Sequence, residues 1–104
     1  MLKKENRLPA RYFREKYRVE KRNSLFVVKK RDNGLLLRRF AVVITKKVDK
    51  RSSHRNRLKR KIYELIRKNK LEEGHGEDII IFVLPRVLKE KDEYILFALC
   101  ELLA

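Results

Sequence analysis

Residues 78–84 read DIIIFVL, an apolar run unbroken after its first residue, in a chain whose residues are 41% charged. A strand with one wet face alternates polar and apolar side chains. An unbroken run of this length is the pattern of a strand covered on both faces. Pro85 ends the run, because proline lacks the N–H that a ladder needs. A chain of 104 residues with 43% hydrophobic content suits one domain, 1–104, with a single modest core. No internal repeat or low-complexity linker divides it.

Other elements follow from spacing. Pro9 can open a helix at its first turn. From residue 10 to about residue 19, Phe13 and Tyr17 lie four apart among Arg11, Arg14, Lys16 and Arg18, which predicts a short amphipathic helix. Residues 24–31, containing LFVV, read as a strand. Asp32-Asn33-Gly34 signals a tight reversal, and residues 35–45 supply a second β-rich run, so an antiparallel hairpin is expected. Ser52 or Ser53 can cap a helix running to about residue 69. Its stripe is Leu58, Ile62, Leu65 and Ile66, with Asn56, Arg60, Tyr63 and Arg67 opposite at about 100° per residue. Gly74 and Gly76 mark a loop. A last helix starts at Leu88 or Asp92, ends at Leu103, and offers Ile95, Leu99, Leu102 and Leu103 to the core. The order is helix, hairpin, helix, strand, helix: a small α+β sandwich. FAVVIT and DIIIFVL, joined through one helix, could be parallel neighbours.

Charge narrows the function. Lys and Arg number 29 against 14 acids, a net charge of +15. Residues 1–70 carry 26 of the cations and 6 acids, whereas residues 71–104 carry 3 and 8. One side of the molecule should therefore face a polyanion while the C-terminal part faces away. Cys100 has no partner for an internal disulfide, which fits a reduced, cytoplasmic setting. MLKKENRL lacks the apolar centre of a signal peptide, and no run approaches a membrane span. Two histidines and one cysteine, with no clustered ligands, argue against a structural zinc site. His54 beside the basic run reads as a solvated side chain on the polyanion-facing side; as an acid or base it lacks a second candidate group and a pocket.

The most informative stretch is residues 46–61, KKVDKRSSHRNRLKRK, with nine Lys and Arg in sixteen residues. It begins at a strand end and continues onto a helix with an intact apolar stripe. Its charges are therefore fixed in space, beside backbone N–H groups that also attract phosphate. Arginine's planar fork suits phosphate, and Asn56 adds a donor and an acceptor for sugar or base edges. These residues point to structured RNA or DNA.

RFAVVITKK, a seven-residue spacer and RNRLKR resemble the signature of the bacterial ribonuclease P protein family. NRLPARYFREKY resembles that family's opening, and LFVV, DIIIFVLP and the Leu-rich last helix follow in the expected order. The resemblance implies an α/β sandwich with a four-stranded sheet, a left-handed βαβ crossover, and a small extra strand over Val19–Arg22. It implies an RNA-binding subunit that assists an endoribonuclease in removing the 5′ leader of precursor tRNA. The chemistry belongs to the catalytic RNA with Mg2+, which that RNA mainly holds, and no protein residue is assigned as catalytic or metal-binding. The implied partners are the catalytic RNA and precursor tRNA, with neither a membrane nor a small-molecule substrate.

Two surfaces are implied. Lys46, Lys47, Arg51, Arg55, Asn56, Arg57, Lys59, Arg60 and Arg67 would bind RNA. Phe13, Tyr17, Val27 and Lys29 would line a cleft for the leader, by stacking and by neutralising its backbone. The chain departs from the family pattern in having Ala41 and Val48-Asp49 where glycines are common, and Tyr63 where an arginine is common. A small ribosomal protein would share the charge but not the ordered lysine pair, spacer and Arg-Asn-Arg helix. A stand-alone nuclease would need acid–base or metal-ligand groups that do not cluster here. An anionic-membrane binder would carry its cations on one long amphipathic helix.

Overall fold

The apolar run forms a central strand of the sheet. In the computed structural model, which describes residues 2–74 and 76–103, the strands are β1 (Val19–Arg22), β2 (Phe26–Asp32), β3 (Arg39–Val43) and β4 (Glu77–Val83). Met1, Ala104 and His75, one of the histidines weighed as a metal ligand, lie outside the described residues. The sheet order is β1-β2-β4-β3, so β4 has a strand on each side. It runs antiparallel to β2 and parallel to β3, as its linkage to β3 through one helix suggested. The fold is thus the expected α+β sandwich with four strands, and β1 falls where the family resemblance put it.

The expected hairpin between β2 and β3 does not form. The reversal is real: Gly34 takes φ +71°, and Asn33 Oδ1 accepts the Leu35 N–H at 2.8 Å. After it, however, the chain steps past β2's neighbouring position and pairs with the far edge of β4. The reason is burial. β4 carries the longest apolar run, Ile79 to Val83, and takes the protected place between β2, whose open face bears Lys29 and Arg31, and the shorter β3. Its approach passes under the β2–β3 loop, where a Cβ at Gly76 would run into the Leu35 carbonyl oxygen and Asn33 Oδ1. The hairpin that does form joins β1 to β2.

One face of the sheet carries the main core. Helix α1 (Ser52–Lys68) lies over β3 and helix α2 (Asp92–Leu103) over β2. Phe26, Val28, Phe40, Ile79 and Ile81 meet Ile62, Ile66, Ile95 and Leu99, all with essentially no exposure. Tyr63 corrects the expectation that it faces outward. It is buried, and its hydroxyl accepts the Val42 N–H at 3.3 Å. Its angular place borders the apolar stripe, and the sheet below offers a backbone donor to the phenol. Neither serine caps α1: both sit inside the first turn, Arg51 is the cap residue, and Asp49 Oδ1 accepts the Arg51 N–H at 3.0 Å.

The other face is crossed by the N-terminal segment. The Leu8 N–H bonds to the Phe40 carbonyl at 2.7 Å beside β3, and the Arg18 N–H bonds to the Lys30 carbonyl at 3.1 Å beside β2. The segment between is a strap, not the expected amphipathic helix. It holds a single 3-10 turn, Ala10–Tyr12. A helix here would set Arg11, Arg14 and Arg18 at repulsive three- and four-residue spacings. The strap instead gives its tyrosines to arginines on the sheet, and Leu8 packs with Ala41 and Ile80.

Candidate nucleic-acid interface

The strap and the open sheet face enclose a cleft. Strand register lays that face out in rows: Val27, Phe82 and Val43, then Lys29, Ile80 and Ala41, then Arg31, Asp78 and Arg39. A cleft of about 200 Å³ lies over the first two rows, lined by Phe13, Glu15, Tyr17, Glu20, Lys29, Ile80 and Phe82. Phe13, Tyr17 and Lys29 are therefore brought together as expected, and Val27 adjoins through its register partner Phe82. The Lys29 ammonium lies 5.5 Å from the centre of the Phe82 ring and 3.8 Å from Glu20 Oε1. The cleft thus offers aromatic faces beside a cation, the chemistry that an unstacked base and its phosphate can use.

The third row anchors the strap. Asp78 is fully buried, and its oxygens accept from Arg31, Arg39 and Asn33. Burial alone would raise its pKa, but the hydrogen bonds from Arg39, Asn33 and Arg31 hold the carboxyl below its ordinary range. The two guanidiniums lie over the strap's tyrosines, Arg39 at 4.5 Å from the Tyr12 centroid and Arg31 at 5.7 Å from that of Tyr17. Hydrogen bonds from Arg11 and Arg39 lower the Tyr12 phenol, whereas burial raises that of Tyr17.

The second surface is the turn after β3 and the first turns of α1. Val48 is buried and pins the turn, which leaves Lys46 and Lys47 in water. The Asp49 carboxylate, held down to about 2 by the Arg51 N–H and guanidinium, also lies 3.3 Å from His54 Nδ1. Arg55 Nη1 donates to the Asp49 and Lys50 carbonyls, both at 2.9 Å. Arg51 and Arg55 thus shape the turn, while Asn56, Arg57, Lys59 and Arg60 project from the helix exposed. Arg67 stands roughly 18 Å along the helix from Arg55 and forks onto Glu64, at 3.3 and 3.0 Å, so it does not join this cluster.

The all-apolar run gave Ile80 and Phe82 only a core role, and no motif marked Glu15, Glu20, Arg31 or Arg39. Asp78, expected with acids 72–78 in a loop and solvated turn, is instead fully buried in β4. In an all-apolar strand, alternation puts Asp78, Ile80 and Phe82 on one face but does not say whether that face is covered or open. The register against Lys29 and Arg31 is what assigns them. Among the described residues no three His, Cys, Asp or Glu side chains stand together as a metal site, and no helix is long and apolar enough to cross a membrane.

Comparison with known proteins agrees with this geometry. The ribonuclease P protein component of Thermotoga maritima is 42% identical over 64 residues, 62% of this chain and 52% of that protein. The chain thus spans about half the length of the curated relatives it matches. A solved ribonuclease P protein from Thermotoga maritima superposes with a TM-score of 0.79 at 28% identity, covering 93% of this chain and 94% of that one. Another, in complex with 1-(4-fluorophenyl)-2-thiourea, gives a TM-score of 0.72 at 29% identity over 82% of each chain. The family model described as Ribonuclease P matches residues 2–104, and on that match this chain belongs to the ribonuclease P protein family.

Proposed function

We propose that this protein is the RNA-binding subunit of a ribonuclease P, assembling on the catalytic RNA and assisting removal of the 5′ leader from precursor tRNA. The observation that carries the reading is the rigid strand, turn and helix that present Lys46, Lys47, Asn56, Arg57, Lys59 and Arg60 to solvent. Six donors held on a packed scaffold can meet RNA phosphates without first being ordered. The leader would enter the cleft between strap and sheet, stacking on Phe13, Tyr17 or Phe82 with its backbone near Lys29. The two surfaces are continuous in direction: β3 ends at Val43, level with Phe82, and the basic turn leaves from that end of the sheet.

Among the described residues, the two acids beside the basic surface are already engaged by cations. Asp49 already faces Arg51 and His54, and Asp92 lies 3.1 Å from Lys61. In this reading Mg2+ is held mainly by the RNA partner, and no residue of this chain is given the part of catalytic acid, base or nucleophile. The protein's part is to hold substrate and screen phosphate repulsion, which lowers the metal and salt that the RNA needs. The test adds the purified chain to cognate catalytic RNA and precursor tRNA at low Mg2+. Stimulated 5′ cleavage is expected; no stimulation would overturn the reading.

A further inference from the structure

The strap crosses the sheet with little backbone support. Between its bonds at Leu8 and Arg18, its backbone hydrogen bonds are local: Tyr12 to Pro9, Phe13 to Ala10, and Glu15 to Tyr12. Side chains fasten it: Tyr12 and Tyr17 rest on the small cluster of Leu8, Ala41 and Ile80, and the arginines that stack on them converge on one carboxylate. Asp78 Oδ2 accepts from Arg31 Nε at 3.2 Å and Nη2 at 3.0 Å, and from Arg39 Nη2 at 2.9 Å. Its Oδ1 accepts from Arg39 Nε at 2.8 Å and Asn33 Nδ2 at 2.9 Å. Five bonds on a carboxylate with no exposure fix both guanidinium planes.

Those planes are the platform of the strap. Arg39 meets Tyr12, Arg31 lies 5.9 Å from the Tyr12 centroid as well as near Tyr17, and Arg31 Nη1 reaches Glu15 Oε2 at 3.8 Å. The Tyr17 hydroxyl donates to the Tyr12 carbonyl at 2.9 Å, locking the two strap tyrosines together. With the charge at Asp78 removed, two cations would flank a neutral strand and repel each other. The tyrosines would then lose a fixed surface to stack on.

We propose that Asp78 is a positioning residue for leader binding: through Arg31 and Arg39 it sets Tyr12 and Tyr17, and so the height of the strap over the cleft. The inference rests on the cleft reading above and adds to it a residue buried beneath the leader's path. It lies in the one row of the open face outside the cleft lining, so its effect must pass through the strap.

The test uses full-length Asp78→Asn assembled with cognate catalytic RNA. Steady-state KM and kcat are measured for precursors with a long leader and with a one-nucleotide leader, alongside amide exchange of residues 10–17. Expected are a rise in long-leader KM of about tenfold, the worth of roughly one stacked base, and faster exchange in the strap. The short-leader KM, kcat and affinity for the catalytic RNA stay at wild-type values. A long-leader KM that stays at the wild-type value, or a strap equally protected, overturns the positioning role. If the wild type itself does not distinguish the two leaders, the cleft reading falls instead, and strap exchange alone decides whether Asp78 holds the strap. Should Asp78→Asn fail to fold, Tyr12→Ala removes the ring from the Arg39 stack without touching the buried carboxylate. It should raise long-leader KM in the same way, and Tyr12→Phe should restore it. Failure of Tyr12→Ala to move KM overturns the proposal.

Discussion

The basic helix and the strap both present positive charge and polar donors, yet they are held in place by different forces. Helix α1 is fixed by Ile62, Ile66 and Tyr63 packed on β3, a contact made of dispersion and water exclusion. The strap has only the small patch of Leu8, Ala41 and Ile80 beneath it, and is fixed as well by arginines stacked on its tyrosines and gripped by one carboxylate. The first arrangement rests on apolar contacts; the second adds charged groups whose removal is expected to loosen it. The difference teaches that one basic surface can be built directly on the core, the place the proposed function gives to the catalytic RNA. The cleft proposed for the leader is instead bordered by a segment tied down through a buried ion-pair network.

The largest expected effect breaks the rigid half. Ile62→Ala should cost about 3 kcal/mol of folding stability, through lost burial and a residual cavity, seen as a lower denaturant midpoint. The strap's exchange relative to the core should hardly change. Next, Arg57→Ala with Arg60→Ala should leave the thermal midpoint in place, because both side chains are exposed. Affinity for the catalytic RNA should fall about a hundredfold, as expected for two charged hydrogen bonds. The slope of log affinity against log salt should flatten by roughly two. A normal slope would mean that these arginines do not touch phosphate. Smaller still, Phe13→Ala should raise KM for long-leader precursor about fivefold to tenfold, within the worth of one stacking face. Assembly with the catalytic RNA should be unaffected. If the arginine and phenylalanine variants lose the same property, the molecule has one RNA surface and the comparison fails.

The two halves also differed in how far they could be read from sequence. Helix α1 was legible because Leu58, Ile62, Leu65 and Ile66 repeat with the helix period, and the buried strand was legible because nothing polar interrupts it. Pairing was not. Asp32-Asn33-Gly34 is a local signal and reports only a reversal, whereas the placement of β3 beyond β4 is decided by which strand needs cover on both faces. The strand over Val19–Arg22 is polar and exposed, so it carried no signal of its own and came only from the family resemblance. The strap misled for a related reason. Phe13 and Tyr17 have helical spacing, but Tyr12 and Tyr17 are claimed by Arg39 and Arg31, whose own positions are set by Asp78. No window of sequence contains those partners together.

Acid offers the finest separation of the two halves. Asp78 has a folded pKa below its ordinary value of 3.8, so its contribution to stability is fully present above that value and is lost as pH falls through the folded value. Between about pH 5 and pH 8 it contributes no slope. As pH falls through the folded value, which lies below 3.8, protonation removes the charge between Arg31 and Arg39, while the contact of Ile62 and Ile66 with β3 has no group to titrate. Amide exchange followed from neutral pH downward, corrected for the intrinsic rate, should therefore show residues 10–17 losing protection before residues 58–66 do. In Asp78→Asn the strap should already be open at neutral pH, and its protection should show no further acid step. A strap and helix that open together in the wild type would mean that the core, not the carboxylate, holds both.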